Sequence, residues 1–316
     1  MNFDYENFRS GYVAIIGRPN VGKSTLVNAL LGQKIAPVTP KAQTTRRRQL
    51  GILTTEEYQI CFVDTPGIHT PRQKLGNFLN QEAEESIASV DVVLFLVDVS
   101  VEPTDEDKWI AMRLSKLARR TPLILAANKI DLVPAEALTL RLEAYQALVP
   151  EDAVVIPMAA VKSEGTDALL AALIPHLPVR YPDYHPDQIT DLYERDIAAE
   201  LIREACLLNL RNEVPHGVAV RIDEFTERGE EGAYIAATIF IERESQKGIV
   251  IGRGGEMLKK IGTDARREIE EMSGRKVFLE LRVKVLKEWR KDERAMQRFG
   301  YKIKKKRGAW KKRKKK

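Results

Sequence analysis

Cysteine is nearly missing from this sequence. Cys61 and Cys206 are its two thiols, far apart and without a CxxC or Cys/His spacing. That excludes a disulfide framework and a zinc site, and leaves two reduced core thiols of the kind found in cytosolic proteins. Long apolar runs are missing too: none approaches the roughly 20 residues that span a bilayer. The first ten residues, MNFDYENFRS, carry neither a basic stretch before an apolar core nor a cleavage-like site, so secretion is not expected. No internal repeat is visible.

What the chain has is charge, unevenly placed. Its net charge is +6, yet residues 302–316, KIKKKRGAWKKRKKK, contain Lys and Arg and no acid. Without that tail, acidic residues outnumber basic ones. The tail is expected to be disordered alone and drawn to polyanions. A length of 316 residues, 44% of them hydrophobic, is enough for two domains, each with its own core.

Apolar runs at 11–17, 58–64, 91–98, 122–128 and 152–158 read as buried strands, with helical patterns at 22–31, 105–118 and 135–147. Alternation of this kind predicts an α/β domain over 8–176: a mostly parallel sheet with helices on both faces. Four prolines in 175–186 mark a linker, placed at 177–187. The order then changes to a long helix at 188–211, strands at 216–225 and 232–242, a short helix, a glycine-rich turn, a helix at 256–272 and a strand at 276–286. This predicts a small α+β domain over 188–301, before the basic tail 302–316.

The segment Gly17-Arg18-Pro19-Asn20-Val21-Gly22-Lys23-Ser24, followed by Thr25, matches GxxxxGK[ST] between a strand and a helix. Two glycines let the backbone turn so that N–H groups face phosphate oxygens at a helix N-terminus. Lys23 supplies charge to the β and γ phosphates, and the Ser24 hydroxyl is a Mg²⁺ ligand. At Asp64-Thr65-Pro66-Gly67 a strand ends where the Asp can hold Mg²⁺ through water and the Gly67 N–H can sense the γ phosphate. NKID, Asn128–Asp131, ends another strand. The Asp131 carboxylate accepts from guanine N1–H and its exocyclic amine, donors adenine does not offer in that arrangement. Asn128 serves N7, and the Lys129 stem covers the base while bracing the phosphate loop. At Ala159-Ala160-Val161-Lys162, Ala159 stands where a Ser is usual, and a backbone N–H, expected to be that of Ala160, reads the guanine O6. These are the motifs of a GTPase.

KAQTTRRR, 41–48, lies where a mobile loop brings a Thr to Mg²⁺; Thr45 is the first choice and Thr44 the second. Ile68 occupies the position after DxxG where a Gln often orients water. Lys23, Ser24, Thr45, Asp64 and Gly67 are therefore expected to carry catalysis, with Mg²⁺ and a monovalent cation assisting. Asn20 is the candidate K⁺ ligand, since its loop position resembles that in potassium-dependent GTPases.

In the second domain, Ile251-Gly252-Arg253-Gly254-Gly255 is a GxxG turn between helices, where backbone N–H groups and Arg253 can meet phosphates. Ile249, Val250 and Ile251 are expected to wall a groove for unstacked bases, with Lys259, Lys260, Arg266 and Arg267 on the following helix. The element order is that of a type II KH domain. Trp289, Tyr301 and Trp310 could stack bases, and Trp289 fits the core equally well.

Together, GRPNVGKSTLVNALLGQKIA, KAQTTRRR, DTPGIH, NKID, the proline linker, SQKGIVIGRGGEMLKKIG and KVFLELRVKVLKEWRKDE resemble the Era family of bacterial GTPases over about residues 8–301. The resemblance implies a P-loop GTPase domain followed by a KH type II domain. It also implies a monomeric cytoplasmic factor in small (30S) ribosomal subunit assembly that binds GTP and GDP. Its KH domain would bind 16S rRNA near the 3′ end. GTP would favour the RNA-binding arrangement, and RNA would stimulate hydrolysis. A second reading places the protein peripherally on the inner face of the cell membrane, its tail on anionic lipid.

Overall fold

The fold comes from a computed structural model and is described for residues 6–39, 46, 48–65, 87, 89–117, 121–229, 232–299 and 301. Six strands build the first sheet: β1 (Arg9–Ile16), β2 (Gln49–Thr54), β3 (Tyr58–Asp64), β4 (Val92–Asp98), β5 (Leu123–Asn128) and β6 (Val154–Met158). Their order is β2-β3-β1-β4-β5-β6, with β2 antiparallel to β3 and every other pair parallel. Helices α1 (Lys23–Leu31), α2 (Asp105–Leu117), α3 (Ala135–Gln146) and α4 (Thr166–Leu173) accompany it. Alternate residues of the same strands feed two cores. Val13, Ile15, Leu94 and Leu96 face Leu26, Val27 and Leu169. Ala14, Ile16, Val93 and Phe95 face Ile110, Leu114 and Tyr145. That two-sided burial is why β4 reads as an unbroken apolar run.

The second sheet has three strands, β7 (Ala219–Glu227), β8 (Ala233–Ile241) and β9 (Val277–Val285), in that order. β7 runs antiparallel to β8, and β9 parallel to it. Helices α5 (Glu194–Asn209), α6 (Glu244–Ile251) and α7 (Glu256–Ser273) cover one face and enclose a core of Leu201, Ile202, Ile235, Ile239, Ile261 and Ile269. The other face is partly covered by a C-terminal lobe with the short α8 (Glu293–Arg298), where Trp289, Met296, Phe299 and Tyr301 pack on Phe240 and Ala219.

Three features differ from the sequence expectation. Strand β2 is an addition: QLGILT is an edge strand with a glycine in its middle, and its residues look like loop until β3 pairs with them. The helix expected from residue 188 begins at Glu194, because 189–191 bond to β2 instead. Ile52 N–H donates to Ile189 O at 2.8 Å, Leu50 N–H donates to Asp191 Oδ1 at 2.9 Å, and Gly51 bridges Thr190. The proline-rich connection is also bonded at its start. Ser10 N–H donates to Pro178 O at 3.1 Å, and Asp183 N–H donates to Gln59 Oε1 at 2.9 Å. Third, Tyr301 is buried, 4% exposed, and so is not open to a base, while Trp289, 0% exposed, takes the core place that was its other reading. Trp310 and the basic tail lie outside the described residues.

Candidate functional site

The C-terminal ends of β1, β3, β4 and β5 share one rim of the first sheet. The loop from Gly17 to Gly22 turns there into α1. Gly22 adopts φ +104, and a Cβ on it would lie 2.3 Å from Asn128 Nδ2, so this position is closed to any side chain. Lys23 opens α1 and curls back: its ammonium donates to Gly17 O at 3.1 Å and Arg18 O at 2.9 Å. Burial lowers its pKa from 10.5 to about 8, with Asp64 opposing that shift and Arg18 adding to it. Ser24 Oγ donates to Asp64 Oδ2 at 2.8 Å, and both residues are buried. Gln49, at the start of β2, approaches the same oxygen at 3.4 Å. A hydroxyl and a carboxylate in buried contact form the hard-oxygen donor set that suits Mg²⁺. Thr65 Oγ1 donates to Ile15 O at 2.7 Å, fixing the end of β3 beside β1. Val21 is in the core, and Asn20 is exposed in a left-handed conformation, φ +66. Thr44, Thr45, Pro66, Gly67 and Ile68 lie outside the described residues.

At the end of β5 the Asn128 amide bridges two loops. Nδ2 donates to Val21 O at 2.8 Å, and Oδ1 accepts from Ala160 N–H at 2.9 Å. The Ala160 N–H, expected at the guanine O6, thus donates to Asn128 in this structure. Asn128 is first a strap between the phosphate loop and the Ala159–Ala160 turn. Lys129 has φ +70 and its ammonium donates to Asp98 Oδ2 at 2.6 Å. It therefore braces the phosphate loop through Asp98 rather than directly. Asp131 keeps 13% of its side chain exposed, with Lys162 Nζ 4.0 Å away.

The glycine-rich turn of the second domain stands open. Gly252 (φ +75) is locked against Met257, whereas a Cβ on Gly254 or Gly255 would meet nothing within 4 Å. Arg253 is exposed. Beside it runs a groove of about 430 Å³ lined by Gly255, Leu258, Lys259, Thr263, Arg266 and Leu281, among others. Gly255, Lys259 and Arg266 thus meet as expected. Lys260 is exposed but does not line the groove, and Val250 is 0% exposed in the core rather than on a wall. Leu258, Leu279 and Leu281 supply the apolar wall instead. On β9, Leu279 and Leu281 alternate with Glu280 and Arg282, and that period of two was the signal for them.

The structure also adds residues that the motifs did not single out. Arg46, in the KAQTTRRR segment, is 1% exposed. Its guanidinium donates to Val218 O at 2.7 Å and His216 O at 2.9 Å, and lies 5.8 Å from the centre of the Trp289 ring. Burial holds it below its ordinary pKa. Lys34 bonds Glu204 at 3.0 Å and Glu268 at 2.7 Å, and Val38 N–H also donates to Glu204. The segment between α1 and β2 is thereby fastened to the second domain.

Comparison with known proteins fits both halves. The family model described as a 50S ribosome-binding GTPase matches residues 12–129, and that of a KH domain matches 213–290. GTPase Era of Geotalea uraniireducens is 48% identical, with 94% of this chain and 99% of that protein covered. GTPase Era of Ruminiclostridium cellulolyticum is 44% identical, over 95% and 99%. The chain belongs to the Era family of GTPases. Among solved structures, an Era in complex with MgGDPNP and nucleotides 1506–1542 of 16S ribosomal RNA superposes with a TM-score of 0.87 at 39% identity, over 94% of this chain and all of that one. A single-residue variant of Aquifex aeolicus Era bound to GDP and AlF₄⁻ gives 0.88, also at 39% and with the same coverage. As in that family, a P-loop GTPase domain precedes a KH domain, and the enzyme activity is GTP hydrolysis.

Proposed function

We infer that this GTPase binds 16S rRNA near its 3′ end through the Gly252–Gly255 turn and the adjoining groove, and acts in assembly of the small ribosomal subunit. The observation that carries this reading is the open turn with Arg253, Lys259 and Arg266 around an apolar cleft, in a family where one relative holds that RNA segment. Bases would lie on Leu258, Leu279 and Leu281 while the turn and its cations meet the backbone.

On the nucleotide side, Lys23 and the loop N–H groups would hold the phosphates, Asp131 would select guanine, and Ser24, Thr45 and water on Asp64 would hold Mg²⁺. The ion neutralises charge that develops on the phosphoryl oxygens. Asn20 is the proposed K⁺ ligand, and equal rates in K⁺ and Na⁺ would remove that assignment. The protein is proposed to work as a cytoplasmic monomer. Contact of the basic tail with anionic lipid is the second reading, and it rests on the tail's charge alone.

The test is fluorescence anisotropy with an RNA of the sequence 1506–1542 against a scrambled RNA, in GDPNP and in GDP. Tighter binding of the native sequence with GDPNP supports the reading. Equal binding of both RNAs, or identical affinity in both nucleotides, overturns it.

A further inference from the structure

Asp98 ends β4 directly beside Asn128 of β5 in the parallel register. It belongs to none of the GTPase motifs, yet two of them converge on it. Its Oδ2 accepts from the Lys129 ammonium at 2.6 Å and stands 3.6 Å from Nη2 of Arg18, in the phosphate loop. Its Oδ1 accepts from the N–H of Ser100 at 3.1 Å and from the Ser100 hydroxyl. That turn fixes the plane of the carboxylate and so aims the second oxygen. The carboxylate is 8% exposed. Burial alone would raise its pKa, but the hydrogen bonds from Lys129 and Ser100 outweigh it and hold the group ionised below its ordinary value.

Arg18 has a second anchor. Its Nε lies 3.2 Å from Oδ2 of Asp107, which is 0% exposed and is itself held by the Thr104 hydroxyl at 2.7 Å. Two carboxylates therefore neutralise two cations, one from each nucleotide-contacting loop, and leave Lys23 as the charge for the phosphates. The arrangement answers a physical need. A lysine stem laid over a base gives up rotamer freedom on binding. A partner that holds the ammonium beforehand removes much of that cost from the binding step.

We propose that Asp98 is a positioning residue for nucleotide binding: by holding Lys129 and flanking Arg18, it joins the guanine-facing turn to the phosphate loop before nucleotide arrives. The proposal rests on the reading of Lys129 and Asp131 as the guanine-facing residues. It adds a link from that turn to the phosphates that no motif contains. Asp98 touches neither base nor phosphate in this role; it acts through Lys129.

The experiment uses the full-length protein and compares Asp98→Asn, Lys129→Met and the double variant. Asparagine keeps an oxygen for Ser100 but turns an amide toward Lys129. Binding of fluorescent GDP and GDPNP is expected to weaken about tenfold in each single variant, and the double variant to be no worse than either. At saturating GTP, the kcat of Asp98→Asn should stay within about twofold while its KM rises, since the link is made in the free enzyme. The preference for GDP over ADP should survive Asp98→Asn and fall in Asp131→Asn. Unchanged affinity in Asp98→Asn, losses that add in the double variant, or a fall in kcat matching the loss of affinity would each overturn the proposal. If Asp98→Asn fails to fold on thermal melting, Lys129→Met compared with Lys129→Arg decides. Arginine should recover most of the affinity by reaching Asp98, and equal loss in both sinks the idea. Should Asp131→Asn leave the guanine preference intact, the guanine-site reading fails by itself, whatever Asp98→Asn does.

Discussion

Lys23 carries its charge in a site that resists it. Folding lowers its pKa from 10.5 to about 8 because the ammonium is desolvated. The unfolded chain therefore binds more protons between those values, and the nucleotide-free protein gains stability as pH rises from about 8 toward 10.5. A phosphate at the loop reverses the balance by favouring the charged form. Above pH 8, nucleotide binding should take up close to one proton; titration calorimetry in two buffers of different ionisation enthalpy measures it, and Lys23→Met should abolish it. Arg46 makes a different prediction. Arg46→Ala removes the guanidinium that donates to the carbonyls of Val218 and His216 and should cost about 2–4 kcal/mol in urea unfolding. Arg46→Lys should recover little, since a point charge cannot reproduce the planar fork. Lys23, Ser24, Asp64 and Asp131 were legible because their spacing follows from one local turn or strand end. Arg46, Asp98 and Lys34 were not. Their partners lie tens to hundreds of residues away, and only the folded chain brings them within bonding distance.

At the scale of elements, strands buried on both faces announced themselves as apolar runs, whereas β2 at the edge did not. Only Gln49–Ile52 is buried, and a glutamine and a glycine take half of those four places, so the strand shows neither an apolar run nor an alternation to read. The element order of the second domain was equally readable, but which apolar residues face its groove was not. Val250 near the end of α6 is buried in the core while Leu258 near the start of α7 lines the groove, a difference set by how the two helices pack across the glycine turn. The turn between those helices gives a clean separation of stability from binding. Gly252→Ala drives a Cβ to 2.7 Å from Met257 N and should lower both Tm and RNA affinity. Gly254→Asp enters open space at φ +59. Its stability cost should be about 1 kcal/mol, while the added charge should weaken RNA binding more than tenfold. A thermal melt beside a filter-binding curve distinguishes the two.

Across the whole molecule, charge and connection matter most. The cluster of Lys and Arg in 302–316 sits apart from an otherwise acidic chain. Removing it should leave GTP hydrolysis unchanged and flatten the dependence of log K for RNA on log salt, because fewer counterions are released on binding. An unchanged slope would mean that the tail stays clear of the phosphates.

The bonded path of residues 178–191 along the first sheet has a mechanical consequence. A connection held this way is a tape rather than a tether. With Asp191 tied to Leu50 and α5 starting at Glu194, any swing of the KH half that leaves the tape in place must turn about Leu192 and Tyr193 and break the bonds of Lys34 and Arg46 to that half.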